Sequence, residues 1–522
     1  MSDIRPAATL ALVRDGVNGV ETLLLQRSRQ VVFLPGFHVF PGGALQEGEQ
    51  DPAHATAALR ECFEEAGILL VCGDEGGVRV HARRDASDRQ RIDTGVLTLG
   101  DYCRHEGLEP ATGALVHLSR WITPPGPPRR FDTHFFLAGV PPDQDAFPDG
   151  TEIVAHCWIR PEEALRAHAD GRMLFVPPTL NTLRRLCGYG HTGELLATLA
   201  AEPPDGMTWR KWPALRGGDQ VELTPGETGY DEARFRDPQR LGQTPAVPEP
   251  GRLVRLEAGI TRITASNPGM MTGPGTNTYI IEDDLGFMVI DPGPSDEDHL
   301  ERIQELCAGR IHHVLVTHTH PDHSPGAVRL RECTGARVVA LPAPEDPIHD
   351  RHTDPDRIPG EGETIGQGAA RLRALKTPGH ASNHLCFMMD STGILFAGDM
   401  MMQESTVVIN PPDGDMRDYL ASLKRLLEEP VQWLLPGHGP LMGEPRAVLD
   451  YLIMHRHVRE RKVLAALKDA GPLGDAALLD RVYSDVARAR HPVAARSLQA
   501  HLIKLAREGR VRQEENGWVA DD

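Results

Sequence analysis

The sequence predicts a multidomain protein of mixed α+β and α/β type, and three observations carry that reading. Its 522 residues exceed one ordinary domain. Short apolar β runs alternate with amphipathic helical segments along most of the chain. Composition breaks twice, in a stretch rich in Pro, Gly and charge at 201–250 and again at Gly443 to Pro445. These breaks divide the chain into a first domain over 1–200, a linker or irregular extension over 201–250, a second domain over 251–445 and a small helical unit over 446–522.

Hydrophobic residues at 40% and charged residues at 25% are globular values, and 52 Gly with 43 Pro are too few for a collagen-like or low-complexity chain. The 74 acidic and 55 basic residues give a formal charge of -19, which opposes indiscriminate attachment to nucleic acid or anionic membranes. That charge is uneven. Residues 446–522 hold 14 Arg and Lys against 11 Asp and Glu, a net +3, which leaves -22 on 1–445. Eight Cys with no CxxC fit a reducing compartment. No apolar run approaches the ~18 residues of a membrane span, and the apolar start is cut by Arg14 and Asp15 too early for a secretory signal. The expectation is a soluble cytoplasmic protein with no membrane partner.

In the first domain ATLALV and TLLLQR read as paired strands, HVFPGG as a strand entering a Gly turn, and AHATAALRECFEEAGI as an amphipathic helix. On that helix Glu61, Glu64 and Glu65 fall at i, i+3 and i+4 and share one face. Their mutual repulsion is relieved by Mg²⁺ or Mn²⁺, which takes hard oxygen ligands and completes its shell with diphosphate oxygens. Taken alone, the three Glu also suit a solvated acidic face. Glu152, just ahead of a strand, is either a fourth carboxylate or an exposed loop acid. Arg129 and Arg130 either hold a substrate phosphate or flank the FDTHFF strand.

The Gly turn, Arg60, the three Glu and Gly67 together resemble the Nudix box. LLLQRS, LPGFHVFPGG, RECFEEAGILL, WITP with RRFDTHFFL, and LFVPPTLNTLRRL extend the resemblance to the coenzyme A diphosphatase branch of Nudix hydrolases, over about residues 5–190. The resemblance implies an α/β/α sandwich and a Mg²⁺ or Mn²⁺ ion on Glu61, Glu64 and Glu65. It also makes Glu64 and Glu65 catalytic, has Arg60 orient them by salt bridging, and implies a small-molecule diphosphate substrate, coenzyme A or a related nucleoside diphosphate derivative. One departure stands out: the place of a further box Glu, eight residues before Arg60, is Pro52, and Gly43 stands three residues farther from the helix than the family spacing. A loop insertion accounts for this.

The second domain repeats short β runs, TYIIE, GFMVIDPG, HHVLVTH, ARVVAL, GILFAGD and WLLPGH, several of which end in a Gly, Asp or His cluster. One of these, THTHPDHSPG, contains His318-x-His320-x-Asp322-His323. A loop after a strand aims alternate side chains at one point, so His318 and His320 reach one metal while Asp322 and His323 reach another, and imidazole with carboxylate suits Zn²⁺. His380, Asp399 and His438 follow at Gly-marked turns. A lone His is usually a surface or hydrogen-bonded residue, and His312, His313, His349 and His352 are read that way. His384, four residues after His380, is a candidate to face the substrate as a proton donor.

This set resembles the metallo-β-lactamase superfamily over residues 253–445. The resemblance implies an αββα sandwich and two Zn²⁺, with His318, His320 and His380 on the first, Asp322, His323 and His438 on the second, and Asp399 bridging. Asp322 is also a catalytic candidate, beside a hydroxide held between the ions. NPGMMTGPGTNTYII, VIDPG, HRHVRERKVL and HLIKLAREGRV are similar to the β-lactamase-like protein 2 family of endoribonucleases, which implies a winged helix over 446–522 with Trp518 packed beneath the wing. Single-stranded RNA is then the substrate. A glyoxalase II-like thioesterase would use the same ligands, and a non-catalytic Nudix domain that senses a nucleotide and regulates the zinc hydrolase is a third arrangement. The winged helix itself reads as a nucleic-acid contact, or as a cap or homodimer surface.

Overall fold

A computed structural model describes residues 4–521 except 32–33, 47–48, 50–51, 74–77, 83–85, 124–128, 142–144, 149, 203–210 and 404. The chain forms two compact units, Met1–Arg210 and Lys211–Asp522.

In the first unit the 13-residue strand Ile4–Gly16 is the spine of a seven-stranded sheet. It turns into the antiparallel strand Gly19–Arg27, and it pairs parallel with Arg130–Gly139 and antiparallel with Gly42–Ala44. The pleat sends successive side chains to opposite faces. Leu10 and Leu12 therefore pack under the helix Ala53–Ala66, while Ala11 and Val13 face Ala164, Leu180, Leu183 and Leu195 from three later helices. The result is the expected α/β/α sandwich.

The second unit stacks two sheets. A six-stranded sheet runs from Leu253–Glu257 to Arg337–Val339, and a five-stranded one from Thr364–Ile365 to Trp433–Pro436. Tyr279, Ile281, Met288 and Ile290 of the first sheet meet Leu385, Phe387 and Phe396 of the second between them. Helices Glu297–Cys307 and Gly326–Thr334 cover one outer face, and Met416–Leu426 with Pro445–Ala470 the other, giving the αββα order. The 26-residue helix Pro445–Ala470 continues into the terminal unit, where helices Asp475–Val482 and His491–Arg507 precede a two-stranded wing, Val511–Glu514 and Gly517–Ala520. Trp518 is buried there, with its indole N–H donating to Asp475 at 2.9 Å.

The expected linker or extension at 201–250 needs correction. Its residues 203–210 lie outside the described residues, but from Lys211 onward the segment is folded into the second unit. It forms a hairpin, Trp212–Arg216 with Asp219–Leu223, and a helix, Tyr230–Arg236. Glu232 of that helix is 1% exposed. It accepts two 2.7 Å bonds from Arg262, also buried, and one from the Leu441 N–H at 2.9 Å. A buried ion pair survives only when both charges are this well satisfied. Among the described residues no helix is long and apolar enough to cross a membrane.

Candidate active sites

In the first unit, the helix Ala53–Ala66 buries Ala55, Ala58, Leu59, Cys62 and Phe63 against the sheet and stops at Gly67, whose φ of 70° suits a glycine cap. Its Glu61 lies against the strand Gly42–Ala44. A Cβ on Gly43 would sit 2.4 Å from Glu61 Oε1, so a larger residue there would displace the Glu61 carboxylate. Glu65 accepts the Gly42 N–H at 3.0 Å.

Arg60 is 2% exposed and organises the cluster: it donates to Glu49 at 2.7 Å, Glu61 at 2.9 Å, Glu64 at 2.8 Å and the Ala44 carbonyl at 2.7 Å. Burial pushes the Glu64 carboxyl up to about 8 against the pull of Arg60, and burial raises Glu61 and Glu65 as well. Among the described residues, Glu64 Oε1 is buried without a hydrogen-bond partner. Several carboxylates around one guanidinium, with an acceptor oxygen unused, fit a hard divalent cation. Glu152 joins the cluster through Arg27, which bonds Glu152 and stands 3.8 Å from Glu65.

Glu49 was missed by counting back from Arg60 to Pro52. The helix and the Gly turn are separated by three extra residues, and the same displacement carried back from Pro52 lands on Glu49, whose carboxylate bonds Arg60 Nε. Arg130 is buried and donates to the Thr123 carbonyl at 2.9 Å, and Arg129 is exposed. Among the described residues neither bonds Glu61, Glu64 or Glu65.

In the second unit, the loops after Ile311–Leu315, Leu372–Lys376, Ile394–Gly398 and Trp433–Pro436 deliver all seven expected donors to one place. His318 Nε2 lies 2.9 Å and His380 Nε2 3.1 Å from His320 Nδ1. Beside this trio, His323 Nε2 is 3.3 Å from His438 Nε2, and Asp322 Oδ2 is 3.5 and 3.3 Å from these two nitrogens. Asp399 faces both groups: Oδ1 is 3.5 Å from His323 and 3.4 Å from His438, and Oδ2 is 3.6 Å from His380. Asp399 Oδ1 is buried and makes no hydrogen bond among the described residues. Nitrogen and oxygen lone pairs crowded together in a buried pocket, with no protons to pair them all, fit metal ions.

The far sides of the rings explain the aim. His323 Nδ1 donates to Asp291 at 2.9 Å, His380 Nδ1 to the Val408 carbonyl at 2.7 Å, and His438 Nδ1 to the Gly275 carbonyl at 3.3 Å. Each such bond fixes the ring and leaves Nε2 for the centre. Asp291 itself is pinned by the N–H and hydroxyl of Thr317, both at 2.7 Å. A Cβ on Gly437 would lie 2.5 Å from Asp399 Oδ1, so a larger residue there would displace the Asp399 carboxylate.

Electrostatics divide the centre. Burial and neighbouring imidazoles keep His318 well below its ordinary value and take His320 down to about 3, so both stay neutral donors. Burial opposes protonation of His438 as well, but Asp399 and Asp322 override it and push the ring up to about 9. The half holding Asp322, His323 and His438 therefore favours positive charge.

His384 is corrected. It is fully buried, its Nδ1 meets the Thr377 hydroxyl at 2.9 Å and its Nε2 accepts the Asp399 N–H at 3.1 Å. Burial holds it well below its ordinary value. With both nitrogens occupied it positions Asp399 and faces no substrate.

The sequence matches the family model of the metallo-beta-lactamase superfamily over residues 271–438, that of the NUDT19 Nudix domain over 47–186, and that of the beta-lactamase associated winged helix domain over 476–518. A beta-lactamase-like protein 2 homolog of Drosophila melanogaster is 30% identical over 50% of this chain and 92% of its own length. The chain belongs to the metallo-beta-lactamase superfamily, with a Nudix domain ahead of it. Among other relatives of this superfamily, the Caenorhabditis elegans beta-lactamase-like protein 2 homolog is 27% identical over 49% of this chain and 86% of its own. An atrochrysone carboxyl ACP thioesterase of Aspergillus fumigatus is 28% identical over 52% and 88%. A solved metallo-beta-lactamase family protein from Thermus thermophilus is 21% identical, covering 51% of this chain and 100% of its own, with a TM-score of 0.44. A solved Nudix hydrolase from Alicyclobacillus acidocaldarius is 32% identical, covering 39% and 100%, with a TM-score of 0.35. Nudix and metallo-beta-lactamase domains make this chain a hydrolase that uses divalent metal.

Proposed function

We propose that the chain carries two metal-dependent hydrolytic centres, a Mg²⁺- or Mn²⁺-dependent Nudix diphosphatase and a dinuclear Zn²⁺ phosphodiesterase. The observation that carries the second is Asp399, one oxygen toward His380 and the other toward His323 and His438. His318, His320 and His380 hold one ion, Asp322, His323 and His438 the other, and Asp399 spans the two. When bound, such ions supply a water-derived nucleophile at neutral pH and polarise the bond to be cut. The chain does the rest: Asp291, Val408 and Gly275 hold three rings in register, and His384 holds the Asp399 backbone. Asp322, with its side chain 27% exposed, is the most open carboxylate of the centre.

In the first unit Glu61, Glu64 and Glu65 hold the cation, and Arg60 with Glu49 sets their orientation. The substrate is a diphosphate of the coenzyme A or nucleoside type. For the second centre, single-stranded RNA is supported by the likeness to beta-lactamase-like protein 2 and by Arg488, Arg490 and Arg496, exposed on the winged helix and without ion pairs among the described residues. A thioester is the second reading, favoured by the relative named as an ACP thioesterase.

Metal analysis and a mass-spectrometric substrate screen of the purified chain test both centres. RNA cleavage that falls steeply with salt supports the phosphodiesterase. Turnover of acyl thioesters with intact RNA replaces it with the thioesterase. Diphosphates that bind the Nudix domain but are never cleaved reduce that domain to a sensor.

A further inference from the structure

The helix Pro445–Ala470 leads from the second sandwich into the winged helix, and one of its side chains reaches back toward the metal centre. Arg456 is 2% exposed. Its guanidinium donates to the Val407 carbonyl at 2.6 Å and lies over the Tyr419 ring, 5.2 Å from its centroid. Each contact is one residue from a group that fixes a ligand. The next carbonyl after Val407 is Val408, which accepts the Nδ1 proton of His380 at 2.7 Å. The Tyr419 hydroxyl donates to the Met400 carbonyl at 2.9 Å, and Met400 follows Asp399. Tyr419 also abuts Gly379, the residue before His380: a Cβ there, at φ 142°, would lie 2.3 Å from Tyr419 Cα.

The segment carrying Val407 and Val408 has no regular secondary structure, so it has no ladder of its own to fix the Val408 carbonyl. Val407 and Ile409 are instead buried among Leu449, Leu452 and Ile453 of the same long helix and Ala500 of the winged helix. A charged donor to a carbonyl is stronger than a neutral one, and in a buried setting it is the contact that specifies where the segment sits.

We propose that Arg456 is a positioning residue for the metal centre, acting through Val407–Val408 on His380 and through Tyr419–Met400 on Asp399. The helix that leads into the winged helix is in this sense part of the site's scaffold. This inference rests on the metal reading given above.

The test uses the full-length, metal-free chain. Zn²⁺ affinity is measured by competition with a chromophoric chelator, Co²⁺ coordination by visible absorption, and folding by thermal unfolding without metal. Arg456→Met is expected to weaken Zn²⁺ binding about tenfold or more, the scale on which outer partners of a ligand act. Arg456→Lys recovers part of that loss, and Tyr419→Phe shows a smaller loss with an altered Co²⁺ spectrum. Should Arg456→Met not fold, Arg456→Lys and Tyr419→Phe decide the matter. Variants that lose stability but bind Zn²⁺ as the parent does, to within about twofold, would overturn the proposal and leave Arg456 a packing residue. A parent chain with no imidazole-type Co²⁺ spectrum would overturn the metal centre itself.

Discussion

The carboxylate cluster of the first unit and the imidazole-rich centre of the second gather charge in opposite ways. In the first, one buried guanidinium faces Glu49, Glu61 and Glu64, with Glu65 beside them, and burial raises Glu61, Glu64 and Glu65. Among the described residues Arg60 and Arg27 face five carboxylates there, Glu49, Glu61, Glu64, Glu65 and Glu152, so positive charge is the smaller part. In the second, Asp322 and Asp399 sit among imidazoles that hold them well below the usual carboxylate range even though burial pushes the other way. Here the histidines supply part of the balance. Hard, weakly held Mg²⁺ suits a site that needs charge, and borderline Zn²⁺ suits one that offers aimed nitrogen lone pairs.

The largest expected effect tests whether the two centres are separate. Glu64→Gln removes a carboxylate of the first and Asp399→Asn the one spanning the second. Each should cost its own reaction about a thousandfold or more, several kcal/mol of lost Lewis-acid stabilisation, and leave the other within error. Parallel assays of diphosphate cleavage and of the second centre's reaction on each variant check this. Loss of both activities in either variant would break the comparison.

Next in size is Arg60→Ala. Among the described residues it strips the only guanidinium bonded to the carboxylates of Glu49, Glu61 and Glu64, and removing one partner of a buried ion pair costs about 3–5 kcal/mol. Denaturant unfolding without metal should show the first transition moving to lower denaturant. Added Mg²⁺ should recover part of the loss, because a cation takes over the role of the guanidinium. A variant as stable as the parent would mean that the carboxylates are already protonated and need no counter-charge.

How far the two sites could be read in advance follows from how local each is. His318, His320, Asp322 and His323 lie within six residues, and their spacing alone announces a metal. Which ring nitrogen points inward does not appear in any spacing. It depends on Asp291, brought under His323 by the pairing of the strand Gly286–Ile290 with Ile311–Leu315. His384 was misread for the same reason, since four residues after a ligand says nothing about which way the ring turns. Alternating β runs and helices announced only mixed α/β domains, and the α/β/α and αββα sandwiches came as what the two family resemblances imply. The folded segment after Lys211 was not, because what orders it is Glu232 meeting Arg262 thirty residues later. Glu49 was legible, but only by counting through the inserted loop.

The second unit also holds a source of acid sensitivity outside its site. Glu460, 3% exposed, is bonded by Lys504 at 3.0 Å and approached by His457 and His501 at 3.5 Å. Burial works against its charge, but these partners hold the carboxyl well below the usual range. A carboxyl depressed in the folded state adds stability that is complete above its unfolded value, about 4.3, and is lost as pH falls below it toward the folded value. Glu460→Gln, which keeps the shape and loses the charge-assisted bonds, should therefore cost about 2 kcal/mol at pH 7 and progressively less below pH 4. Thermal unfolding across pH, parent against variant, checks the sign. A loss that grows on acidification would contradict it.

The smallest effect contrasts two arginines at the junction with the winged helix. Arg507 pairs with Asp415, whose N–H bonds the Gly379 carbonyl, so it too is one step from His380. Its side chain, however, is 59% exposed. An exposed pair is screened by water and salt and is worth at most about 1 kcal/mol. Asp415 also caps the helix Met416–Leu426 by accepting the Arg417 and Asp418 N–H groups, which holds it in place without Arg507. Arg507→Ala should shift the unfolding temperature by a degree or two, less at high salt, and leave Zn²⁺ affinity unchanged. If Arg507→Ala weakened Zn²⁺ binding as much as Arg456→Met, proximity in the chain rather than burial of the charge would govern the centre.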